Sequence, residues 1–192
     1  MSFPNDPTHA YVSILNAIAT TAPALYTGFT FAYSHVVIPP MITHASPKLL
    51  ARQWLQAYQF APVFVAPLII LGVSSNAVLA YLNVNSTHTC SLYSVAALLN
   101  ASIIPYTALY MEPGVNGAGK WKAQQLLRED GLTLNGRGAG TDKDTASETS
   151  KRWAEKVDMK KIAETWARTN AWRYAITGIA LVLSTVANVF IS

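Results

Sequence analysis

Trp166, Asn170 and Arg173 stand at i, i+4 and i+7, so an aromatic ring, an amide and a cation share one face of a helix. Such a face reads as the wall of a polar pocket. Two groups elsewhere are candidates for proton exchange. One is His35; the other is Glu112, the first charge met after an uncharged run that starts beyond Arg52. Imidazole titrates near neutral pH, and a carboxyl joins that range when desolvation raises its pKa. The stretch IPYTALYMEPGVN, residues 104–116, adds Tyr106 and Asn116 beside Glu112, and RQW with a later Tyr contributes Trp54 and Tyr58. An arginine beside histidine and tyrosine suits an anionic or enolised oxygen.

Two patterns imitate better-known sites. GVNGAGKW, residues 114–121, matches the first seven positions of a phosphate-binding loop, but Trp121 stands where Ser or Thr should hold magnesium. An apolar helix precedes it where that motif needs a strand. GRGAG at 136–140 fails as a dinucleotide fingerprint for the same lack of a strand. His9, His35, His44 and His88 form no H-x-x-x-H pair, and no E-x-x-H is present, so no metal site is expected. The single Cys90 excludes an internal disulfide and a cysteine-zinc site.

The elements that carry these residues follow from composition. The chain is 51% hydrophobic and 12% charged, about half the charge of an ordinary soluble domain. Four uncharged stretches, 11–33, 58–82, 90–111 and 174–191, approach the roughly 20 residues that an apolar crossing needs. The expected fold is all-α: a four-helix transmembrane bundle forming one membrane domain over 1–192. A long cytosolic connection joins helices 3 and 4, with an insertion at 117–165. Within it, a short helix over 120–129 precedes a flexible Gly-rich tract at 131–146. A helical pattern over 149–170 then has a first half expected to lie on the membrane surface.

Charge fixes the expected orientation. Lys48 and Arg52 fall in the first connection, and the other twelve of the 14 basic residues fall in or beside the third. The positive-inside rule puts both connections in the cytosol and both termini in the lumen or outside. Without Lys or Arg, the first ten residues lack the basic region of a cleavable signal, so the first apolar stretch is expected to remain as a span. The sequon Asn85-Ser86-Thr87 falls on the lumenal side, pointing to the endoplasmic reticulum or another endomembrane. The net charge of +4 is a cytosolic loop bias, and nucleic acid is not an expected partner. The partners expected are the bilayer and a small molecule; composition is silent on oligomeric state.

Arg52-Gln53-Trp54 with Tyr58, IPYT…MEP over 104–113 with Asn116 after it, and Trp166, Asn170 and Arg173 occur in the order that resembles the anthrone oxygenase-like family of small four-span membrane proteins. The Ser34 and Pro39 region also fits. Members often carry paired Asn after the Pro, where this chain has Gly114, Val115 and a single Asn116. The resemblance implies oxidation of an aromatic polyketide, an anthrone, to an anthraquinone, with no cofactor and with dioxygen as co-substrate. In that setting His35 is the preferred general base and Glu112 the second candidate. Arg173 and Asn170 stabilise the oxyanion with Asn116 as a further donor, and Trp54, Tyr58, Tyr106 and Trp166 form an aromatic slot. Two other functions fit the same residues. One is a membrane cyclase or isomerase of polyketides or terpenoids, using Glu112 as an acid; the other is a non-catalytic lipid-binding scaffold.

Overall fold

The computed structural model describes residues 7–133 and 143–191, so the GRGAG run and most of the Gly-rich tract lie outside the described residues. The fold is all-α, with no strand among the described residues. Helix α1 spans Pro7–Ala32 and passes through a π-helical segment, Tyr33–Val37, into α2, Ile38–His44. Helix α3 spans Pro47–Leu82, and α4, Thr87–Pro105, continues through a second π segment, Tyr106–Asn116, into α5, Gly117–Leu127. A 3-10 turn, Arg128–Asp130, ends at Gly131, whose φ of 84° is the left-handed stop that glycine accepts without strain. Helices α6, Glu148–Lys156, and α7, Met159–Ile191, complete the chain.

Both π segments coincide with prolines. A proline ring clashes with the carbonyl four residues earlier and offers no N–H, so the α-helical ladder cannot run through it unbroken. Pro39 and Pro40 act on the carbonyls of His35 and Val36, and Pro113 acts on that of Leu109. In each case the turn holding those carbonyls has widened to the π form, a local change frequent at functional sites. Gly114, at φ −91° and ψ −115°, then kinks the second segment outright.

Three helical stretches are long and apolar enough to cross a membrane: Pro47–Leu82, Thr87–Asp130 and Met159–Phe190. The chain is a membrane protein on this basis. Helix α1 has 26 residues, sufficient length, but is not among these three.

The chain divides into two compact units, each drawing on the long helices. One comprises residues 1–29, 65–103 and 173–192. Several of its polar residues satisfy one another, as hydrocarbon surroundings require. The Tyr93 hydroxyl lies 2.5 Å from Asn188 Oδ1 and 3.0 Å from Asn16 Oδ1, and Ser184 donates to Asn76 Oδ1 at 2.7 Å. Thr27 and Thr177 share a hydrogen bond at 2.8 Å.

The other unit comprises residues 30–64 and 104–172. Its core gathers Ile38, Leu50, Trp54, Met111, Ala118, Ala123, Met159 and Ile162. Helix α6 contributes Ala154, with Trp153 and Val157 packed alongside. The apolar side expected to rest on a membrane surface is therefore applied to the protein's own core, against α5. Extended backbone at Val157 ends α6, and Asp158 caps α7 by accepting from Lys161 N at 2.8 Å. From there α7 runs without a break to Ile191.

Candidate functional site

In the second unit, polar side chains gather on one carboxylate. Glu112 Oε1 accepts from Tyr58 Oη at 2.6 Å and from Asn116 Nδ2 at 2.7 Å. Glu112 Oε2 accepts from Thr145 Oγ1 at 3.2 Å and from Lys120 Nζ at 3.3 Å. Four donors from α3, the second π segment, α5 and the segment before α6 thus meet one side chain. Lys120 is fully buried, at 0% side-chain exposure against 15% for Glu112. A buried ammonium needs a paired charge, and the Glu112 carboxylate supplies one at 3.3 Å. Its charge also lies 5.3 Å from the centre of the Tyr58 ring.

The aromatic residues stand behind this group. Trp54 stacks on Tyr58 with ring centres 5.6 Å apart, and Trp166 meets Trp54 edge-on at 6.3 Å and Tyr33 at 6.5 Å. Trp166 Nε1 donates to Asn116 Oδ1 at 2.9 Å, so Asn116 links the indole to the carboxylate. Trp54 is 1% exposed. The expected aromatic slot is instead a packed support.

Sequence fixes this packing locally. A β-carbon on Gly119 would collide with the Trp54 ring, and one on Gly117 would lie 2.6 Å from Ala146 N. The two glycines therefore admit the indole on one side and the backbone before α6 on the other. That backbone is tied down further: Ser147 N and Ser150 Oγ donate to Pro113 O at 3.0 and 2.8 Å. Lys151 grips Asp144 at 2.7 Å and Glu148 at 3.2 Å over the Trp121 ring. The Asp144 carboxylate beside it, with Glu148, holds the Lys151 amine above its ordinary pKa.

A cavity of about 430 Å³ opens where the two segments face each other. It is lined by Ala108, Leu109, Glu112 and Pro113 on one side, and by residues 144–148 on the other. Its volume lies in the range of small-molecule sites. The arrangement offers the Glu112 carboxylate at the edge of a partly apolar space, with Thr145 and Ser147 on the facing wall.

The remaining candidates have other surroundings. His35 is exposed, has its ring centre 4.8 Å from that of Phe31 with the planes tilted by 37°, and lines a different cavity of about 730 Å³ with Ser34, Ile38, Arg168 and Trp172. Asn170 Nδ2 donates to Ser34 Oγ at 3.0 Å and Thr30 O at 3.3 Å, and Tyr106 Oη to Thr169 O at 2.9 Å. Arg173 belongs to the first unit, where its guanidinium lies 5.9 Å from the Tyr26 ring centre. The shared face of Trp166, Asn170 and Arg173 thus serves three different sets of partners. Lys120 and Thr145 were missed by sequence reasoning. The two glycines just before Lys120 were the available signal for the first; Thr145, in a Gly-rich tract, gave none.

Among the described residues no three His, Cys, Asp or Glu side chains gather as a metal site. The family model for anthrone oxygenase matches residues 54–183, more than half of the chain, and includes the Tyr58, Glu112, Asn116, Lys120, Thr145 and Trp166 group. The match supports a related oxygenase-type function. No curated protein and no solved structure matches the chain. With the ordered motifs, the all-α membrane fold and this coverage in agreement, the chain belongs to the anthrone oxygenase family.

Proposed function

We propose that the protein is a cofactor-independent oxygenase that converts a polyketide anthrone to an anthraquinone with dioxygen. The observation that carries the reading is the Glu112 carboxylate, held by four donors at the edge of a ligand-sized cavity within the family-matched region. An anthrone methylene is acidic because its conjugate base is an aromatic, delocalised enolate. That anion is electron-rich enough to reduce dioxygen directly.

In this reading Glu112 is the base, and His35 has no part in proton removal. Oε2, with the longer contacts, takes one methylene proton, and the Thr145 hydroxyl, released from Oε2 once that oxygen is protonated, stabilises the oxyanion that forms. The carbanion carbon bonds to dioxygen, giving a hydroperoxide once protonated. Loss of the second methylene hydrogen as a proton, with cleavage of the O–O bond, leaves the new carbonyl and one water. One anthrone and one dioxygen therefore give one anthraquinone and one water. Asn170 and Arg173 remain outside the reacting set.

The same reading makes α1 a fourth crossing, with both termini lumenal or outside and the basic connections cytosolic, in an endomembrane such as the endoplasmic reticulum. The deciding experiment is oxygen uptake by protein purified in detergent and freed of metal and flavin, with a polyhydroxylated anthrone as substrate. Anthrone-dependent uptake that matches quinone formation mole for mole is expected. Absence of uptake would overturn the reading, and a product formed equally well without oxygen would replace it with a cyclase or isomerase.

A further inference from the structure

The run GAGK, residues 117–120, imitates a phosphate loop in sequence, yet the structure gives each of its parts a task at the Glu112 group. Gly117 lies against Ala146 and Gly119 against Trp54, approaches that a β-carbon would block. Lys120, next in line, is thereby carried to full burial, 3.3 Å from Glu112 Oε2 and over the Tyr58 ring. A lysine of ordinary purpose beside a membrane keeps its ammonium in water or among headgroups. This one does not.

We infer that Lys120 is a positioning residue that pairs with Glu112 and keeps it aimed at the cavity, with Gly117 and Gly119 as the clearances that let it enter. The inference rests on the reading of Glu112 as the base. Lys120 is absent from the cavity lining, so it acts through Glu112 and not on substrate. The groups bonded to Glu112 are Tyr58, Asn116, Thr145 and Lys120, while the Asp144 and Glu148 carboxylates, both paired with Lys151, line the same cavity. Lys120 is the one cation bonded to Glu112. The other three can donate hydrogen bonds to the carboxylate but cannot balance its charge, so without Lys120 the carboxylate would stand desolvated with no paired charge.

The test is Lys120→Met, read as separate kcat and KM values for oxygen uptake with a polyhydroxylated anthrone. kcat is expected to fall about 10-fold or more with KM nearly unchanged, because the base loses its aim while the cavity keeps its lining. An unchanged kcat, or a loss confined to KM, overturns the inference. Thermal melting of full-length protein in detergent gives a second readout that needs no substrate. Lys120→Met should melt lower than the parent, because it leaves a buried carboxylate without its counter-charge. The double variant Lys120→Met with Glu112→Gln should melt near the parent. If the single variant fails to fold, recovery by the double variant supports the charge coupling and non-recovery refutes it. A parent protein that consumes no oxygen with anthrones overturns the proposed function, while the melting comparison still decides whether the pair is coupled.

Discussion

Tyr58 and Glu112, 54 positions apart in sequence, share a hydrogen bond of 2.6 Å from the phenol to Oε1. It is the shortest of the four bonds that hold this carboxylate, and it joins α3 to the second π segment. Hydrogen bonds to charged groups contribute about 1.5–3 kcal/mol. Tyr58→Phe keeps the ring that stacks on Trp54 and removes the hydroxyl that makes this bond. Its kcat/KM should fall about 10- to 100-fold, as about 1.4 kcal/mol corresponds to a factor of ten. A Tyr58→Phe variant with parental oxygen uptake would separate this bond from catalysis.

Glu112→Gln and His35→Ala set the two candidate bases against each other. The glutamine can still accept from Tyr58 but cannot take a proton, so turnover should drop by about 100-fold or more. His35→Ala, at an exposed residue in a different cavity, should cost far less. The measurement is oxygen uptake by both variants at equal membrane expression, and the reverse order would restore His35 as the base.

Gly119→Ala probes the support behind the site. The added methyl meets the Trp54 ring, and overpacking of this kind costs about 1–3 kcal/mol. A lower melting temperature in detergent is expected, with partial recovery when Trp54→Phe makes room. No recovery in the double variant would mean that the clash is relieved elsewhere.

Sidedness can be read chemically. Val84 and Glu129 are exposed residues, in the α3–α4 connection and the 3-10 turn after α5. In sealed microsomes lacking Cys90, an impermeant maleimide should label Glu129→Cys from outside and label Val84→Cys only after the vesicles are opened. The opposite pattern would invert the orientation drawn from the basic residues.

Much of the fold was legible because hydropathy and charge are additive along a chain. The apolar stretches at 58–82, 90–111 and 174–191 lie on α3, α4 with its π extension, and α7. The site was legible in part for a related reason: Trp54, Tyr58, Glu112, Asn116 and Trp166 are polar or aromatic residues at the ends of apolar runs, and they do meet. Lys120 was hidden by the same logic. A count of basic residues cannot distinguish a lysine turned to headgroups from one drawn inward, and only the spacing Gly117, Gly119, Lys120 carries that difference. Thr145 was hidden because a Gly-rich tract offers no period from which a contact with Glu112 could be read. The i, i+4, i+7 face of α7 misled because a shared face fixes direction and not partner. Trp166 meets Asn116 while Asn170 meets Ser34.

The proline-widened turn between Tyr106 and Asn116 sets the phase of everything after it. Removing a single residue there would rotate α5 by about 100°, swinging Lys120 off Glu112 and driving a side chain into the space that Gly119 leaves for Trp54. Losing one amino acid at that bend should therefore undo the Lys120–Glu112 pair and the Trp54 packing together.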